Sequence, residues 1–140
     1  FNGVAVIDGV LGGEFMEFGS LEKNPLKIIL ENNKIKHFEC NNKELEERFR
    51  VHLKKYENAD LVGELGFGTN TSLTKLYGVL GIDEKFPGNH LAFGHPYSEK
   101  TGAKWSSKTH IDGVMQKCST WIDDVQVLRN GKKKKIRKDG

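Results

Sequence analysis

Several absences narrow the field. Only two cysteines are present, Cys40 and Cys118, and they lie far apart. That is too few for a disulfide framework or a thiolate metal site, and it fits a reducing, cytoplasmic setting. No apolar run approaches the ~20 residues a membrane helix needs, so no span is expected. There is no internal repeat and no low-complexity linker, which argues for a single domain over residues 1–140. No methionine opens the chain, which begins at Phe1 inside a strand-like run. That start is the one expected of the C-terminal part of a longer protein, with any targeting signal in the earlier part. The net charge is +3, and most of the excess lies in Lys132–Lys135, Arg137 and Lys138. No aromatic residue interleaves with these lysines, so nucleic acid is a poor partner for them. The run follows Asn130-Gly131, a two-residue hairpin signal, and reads as a lysine-rich edge strand or a frayed tail.

What is present reads as an α+β protein. Gly3–Asp8 is β-rich and ends at Gly9. Val10–Ser20, rich in glycine and phenylalanine, reads as a loop or irregular hairpin. LKIIL and KIKHFEC are strands joined by Asn32-Asn33. From about Lys43 to Asn58, Leu45, Phe49, His52/Leu53 and Tyr56 recur at helical spacing, with Asn41 or Asn42 as N-cap. LVGELGFG, NHLAFG and SKTHIDGVM read as further strands. Leu73–Leu80 is expected as a short helix, Pro96–Ser107 as a polar loop, and STWIDDVQVL as a strand before the terminal hairpin. The expected fold is a mixed, mostly antiparallel β-sheet or partial barrel with one long and one short helix.

Three segments carry side chains with chemical potential. In a strand, residues i and i+2 share a face, so His110 and Asp112 of THIDG project side by side. An imidazole and a carboxylate so placed can bind a cation; a polar surface strand explains H-x-D equally well. Glu64 sits among apolar and glycine residues, where a carboxylate needs a partner or a metal; a buried pair with Lys or Arg is the plainer alternative. GFGT lacks the Lys-Ser/Thr of a phosphate loop. In DEKFPGNHLAFGHPY, His90 precedes a strand, Glu84 lies before it and Tyr97 after. Hydrogen-bonded histidines and solvated carboxylates account for these residues without a metal, and His95 is read as structural.

Taken in order, GELGFGTN, DEK–G–HLAFG, GAKWSS and THIDGV resemble the C-terminal region of the thermophilic-type metallo-aminopeptidases, the aminopeptidase T and S group. NGVAVIDG and the closing hairpin resemble the flanks of that region, so the resemblance covers nearly the whole chain. It implies a metalloprotease that removes N-terminal residues from peptide substrates, a hydrolase using two divalent ions (zinc, cobalt, or magnesium/manganese), and a homodimer with an upstream N-terminal domain. Under the resemblance, Glu64, His90, His110 and Asp112 are metal ligands. Glu84 is a further ligand or the general base, and Tyr97 steadies the tetrahedral intermediate. Two cations can lower the pKa of a bound water and polarise a carbonyl, while a carboxylate takes the proton. The family's further Glu ligand lies upstream of the region where this chain starts. Glu14 has the wrong neighbours to replace it, so an incomplete site is expected.

Two rivals accompany this reading. A dihydroxypyridine ring-cleaving dioxygenase group is similar in the same segments. There, one Fe(II) is held by the equivalents of Glu64, His110 and Asp112, a His/carboxylate triad with open positions; His90 discriminates the two enzymes. The other rival is a non-catalytic domain that keeps the fold for association or ligand binding.

Overall fold

Alternation of apolar side chains builds the first layer. The computed structural model describes residues 1–70, 72–77 and 79–133. Strands β1 (Gly3–Ile7) and β2 (Leu26–Glu31) bury every second residue, Ala5 and Ile7 on one and Leu26, Ile28 and Leu30 on the other. This is the period of a half-buried strand. With β3 (Lys34–Glu39) they form an antiparallel sheet in the order β1-β2-β3. Asn32 and Asn33, at φ 50° and 64°, make the tight turn expected of this pair.

Helix α1 (Lys43–Lys55) starts at Asn42, whose side chain accepts the Leu45 N–H at 3.2 Å. Glu44 and Glu46 sit in its first turn, near the positive end of the helix dipole. Leu45, Phe49 and His52 form its buried face. Phe49 meets Phe15, Phe38 and Phe93 edge-on, with centroids 5.8, 5.0 and 6.5 Å away. It thereby ties the helix to a 3-10 turn (Gly13–Phe18), to β3 and to the second sheet. The helix stops short of Asn58, which takes φ 57° in the following turn.

The second sheet carries the site. It is antiparallel in the order β4 (Val62–Gly68), β5 (Gly88–Gly94), β6 (His110–Met115). Every residue of the central strand β5 is buried. Residues 9–12 run along the free edge of β6, with Gly9 N–H on Val114 O at 2.9 Å and Gly12 N–H on Asp112 O at 2.7 Å. Val62 N–H donates to Asn33 O at 3.1 Å, which joins the start of β4 to the first hairpin.

Two details depart from the sequence reading. The helix expected at Leu73–Leu80 is replaced by a single turn, α2 (Leu80–Asp83), which begins where that helix was to end. The buried Asp83 accepts the Tyr77 N–H at 2.8 Å, and this bond holds the preceding segment in a turn. A further single turn, α3 (Ser98–Thr101), lies in the polar loop after β5. The run STWIDDVQVL folds back on itself as β7 (Thr120–Ile122) and β8 (Val125–Arg129), because Asp123 and Asp124 take φ 47° and 66°. Strand β9 (Lys132–Lys133) pairs with β8 as the outer strand of the third sheet, so the lysine run begins as the expected edge; residues 134–140 lie outside the described residues. The α+β class with antiparallel sheets and one long helix is as expected, and the sheets do not close into a barrel. Among the described residues, no helix is long and apolar enough to cross a membrane.

Candidate metal centre

Register brings the predicted ligands onto one face. Glu64 lies opposite Ala92, which lies opposite Asp112; one row along, Gly66, His90 and Val114 are aligned, and His110 faces Gly94. Directly opposed residues of an antiparallel pair project to the same side. Glu64, His90, His110 and Asp112 therefore share one face of β4, β5 and β6, with the small Ala92 between the two carboxylates.

A β-bulge decides the face of Glu64. Val62 pairs with Phe93 and is buried on the core side, so strict alternation would send Glu64 to the core as well. The register shifts between Val62 and Glu64, and the extra residue, Gly63, reverses the parity. A Cβ on Gly63 would lie 2.5 Å from Gly94 O and 2.8 Å from His95 O, so only glycine lets the strand approach this closely. Gly66 does the same for His90. A Cβ there would lie 2.0 Å from Cε1 and 2.2 Å from Nε2 of His90, whose ring lies across the bare backbone to reach Glu64.

The four side chains meet. His90 Nε2 lies 2.9 Å from Glu64 Oε1, and His110 Nε2 lies 3.7 Å from Glu64 Oε2 and 3.5 Å from Asp112 Oδ1. Glu64, His90 and Asp112 each bring one ligand atom within 4.8 Å of the others. An ion with bonds of about 2.1 Å spans that gap after small side-chain movements. The His110 Nδ1–H donates to His95 O at 2.8 Å, which turns Nε2 toward the carboxylates, where a metal would take the place of its proton. This backbone support for the far ring nitrogen is usual for a metal-bound histidine. The Asp112 carboxylate beside His110 raises the imidazole above its ordinary value; burial opposes this, and the His95 carbonyl and the Glu64 charge add to it. No Lys or Arg among the described residues pairs with Glu64 or Asp112. Two carboxylates and two imidazoles without a resident cation are a donor set suited to a divalent metal. Among the described residues, the buried His90 Nδ1 has no hydrogen-bond partner.

The remaining candidates are placed differently. Glu84 follows α2 outside this group, its carboxylate 3.2 Å from the Lys85 ammonium. Tyr97 is exposed, with its ring centroid 5.0 Å from that of His110 and 5.4 Å from that of His95. His95 supports the site through its carbonyl, and its ring Nδ1 accepts the Tyr97 N–H at 2.9 Å. The glycines beside Glu64 read in the sequence as allowing close approach of backbone or ligand, and Gly63 and Gly66 do so; nothing in the sequence marked the β-bulge at Gly63.

No family model matches the chain, and no curated protein matches it. Among solved structures it is similar to 2,5-dihydroxypyridine dioxygenase from Pseudomonas putida, with a TM-score of 0.71 and 16% identity over 97% of this chain and 41% of the other. This chain thus spans about two fifths of that protein's length. At that identity the likeness is one of fold. It overturns the metallo-aminopeptidase assignment, and the hydrolase and metalloprotease readings go with it. The physical reason is that short motifs such as E-L-G and H-x-D specify which side chains meet across three strands. They do not specify which reaction runs above them. The chain shares its fold with part of that dioxygenase, and its Glu64, His90 and Asp112 could hold a metal ion.

Proposed function

We propose that this chain is the metal-bearing part of a longer, non-haem Fe(II) ring-cleaving dioxygenase. The observation that carries the reading is the meeting of His90, His110, Asp112 and Glu64 on one sheet face, within a fold similar to that of a dihydroxypyridine dioxygenase. Two imidazoles and a carboxylate that leave positions open are the ligand type associated with Fe(II) oxygenases. When bound, such an ion supplies one-electron chemistry that lets molecular oxygen and an electron-rich hydroxylated ring react.

The chain's own residues do the rest. His90, His110 and Asp112 would hold the ion, a set that departs from the Glu64, His110 and Asp112 triad of the sequence reading because His90 lies within reach of Glu64 and Asp112. His90 then no longer separates the two enzymes, and Glu64 reaches both imidazoles as an additional carboxylate. Glu64 is the most exposed of the four, its side chain 35% accessible against 10%, 19% and 12% for His90, His110 and Asp112. It is therefore placed to take a proton from a ring hydroxyl as substrate approaches. Ala92 keeps the floor low, and the exposed Tyr97 offers an aromatic face beside His110. Glu84 has no part in this reading.

The test is metal analysis of the full-length protein, purified without oxygen, together with oxygen uptake on dihydroxypyridines. One iron per chain and uptake that depends on it are expected, with both lost in His110→Ala while the fold persists. Unchanged metal content in that variant, or a protein that binds no iron and consumes no oxygen, sinks the proposal. The latter result would leave a non-catalytic domain of the same fold.

A further inference from the structure

Behind the metal face lies a second polar chain whose members are far apart in sequence. His52, on the buried face of α1, is 5% exposed, yet both of its ring nitrogens have partners. Nδ1 lies 2.8 Å from Glu14 Oε1 on the 3-10 turn, and Nε2 lies 3.0 Å from Thr109 Oγ1. A carboxylate only accepts, so Nδ1 carries the proton, and the Thr109 hydroxyl donates to Nε2. Thr109 precedes His110 and is tied to the same neighbour: His95 N–H donates to Thr109 O at 2.7 Å, while His110 Nδ1–H donates to His95 O at 2.8 Å. Ser107, which anchors the strap before Thr109, donates from its hydroxyl to Glu57 O at 2.6 Å, just beyond the same helix.

We propose that His52 is a positioning residue for the metal ligand His110. It acts through Thr109, and Glu14 fixes its tautomer. The inference rests on the reading of His110 as a ligand. Residue 109 lies just before β6, and the helix supplies the partner of its side chain while His95 N–H holds its carbonyl. An edge contact of His52 with Phe15 and a tilted one with Tyr56, at 5.4 and 5.0 Å between centroids, keep the imidazole from turning. The Glu14–His52–Thr109 chain is thus to His110 what outer hydrogen bonds are to metal-bound imidazoles generally, and loss of such a partner costs about 10- to 100-fold in metal affinity.

The experiment compares Thr109→Val, Thr109→Ser and Glu14→Ala with the parent chain. Nitrogen-15 NMR at alkaline pH, where the imidazole is neutral, reports the His110 tautomer without metal, and calorimetry reports Mn(II) affinity. His110 should be a single Nδ1–H tautomer in the parent and in Thr109→Ser. Thr109→Val should give a tautomer mixture and bind Mn(II) about 10-fold more weakly, and Thr109→Ser should bind as the parent does. Glu14→Ala, a change at the exposed end of the chain, should shift both readouts the same way and decides the matter if Thr109→Val does not fold. An unaltered His110 tautomer in the folded variants overturns the proposal. If the parent takes up no Mn(II), the metal reading fails instead, and the metal-free tautomer measurement still decides the relay.

Discussion

Replacing Gly66 with alanine separates the candidate metal site from the fold, because the three atoms nearest the added methyl all belong to the His90 ring. Its Cβ would stand 2.0 Å from Cε1, 2.2 Å from Nε2 and 2.8 Å from Nδ1 of His90. Carbon atoms in contact rest at about 3.5–4.0 Å, so the ring must withdraw by roughly 1.5 Å. The bond from His90 Nε2 to Glu64 Oε1, now 2.9 Å, cannot survive that movement. The clash is with the end of a side chain that can swing, and Gly66 does not occupy a left-handed conformation. Alanine also narrows the unfolded ensemble, an effect of about 0.4–1 kcal/mol in favour of the fold. Thermal unfolding of the metal-free variant should therefore match or slightly exceed the parent. Its affinity for Mn(II) or Co(II), measured by calorimetry, should fall by at least the ~10–100-fold that loss of a supporting partner costs. Co(II) absorption should report fewer nitrogen ligands. A folded variant that keeps both the affinity and the Co(II) spectrum would refute the placement of His90 at the site.

Other outcomes test the scaffold. Phe49→Ala should destabilise the chain by about 3–5 kcal/mol in urea titrations, since Phe49 is fully buried among Phe15, Phe38 and Phe93. Asn42→Ala removes the acceptor for the Leu45 N–H and should cost about 1 kcal/mol, with the loss appearing as fraying at the start of α1 in hydrogen exchange. Burial raises the Cys40 thiol above its ordinary value. The folded state then holds this proton more tightly than the unfolded state, so the stabilisation is present below the ordinary thiol value and is lost as pH rises from there through the raised value of the folded state. At pH 8, iodoacetamide should label Cys40 much more slowly in the folded chain than in urea, and equal rates would contradict its burial.

What the sequence determined by itself is what depends on near neighbours. Asn32-Asn33 and Asn130-Gly131 favour positive φ and make turns wherever they lie. Asn42 caps α1, and spacing alone places Leu45 and Phe49 on one helix face. His110 and Asp112 share a face because a strand repeats every two residues. The tertiary structure decided everything that depends on register between distant strands. The bulge at Gly63 turns Glu64 away from the core, and the gap above Gly66 lets His90 lean across. Thr109 finds His52 fifty-seven residues away. The turn that displaced the helix expected at Leu73–Leu80 rests on Asp83, which holds Tyr77 from beyond that segment. The likeness to a dioxygenase was legible only as a rival to the aminopeptidase reading, since the same segments fit both. Motifs encode which side chains converge, whereas chemistry depends on the ion they hold and on what can approach its open side. Periodicity is a local property, while a site with long-range partners exists only once the chain has closed on itself.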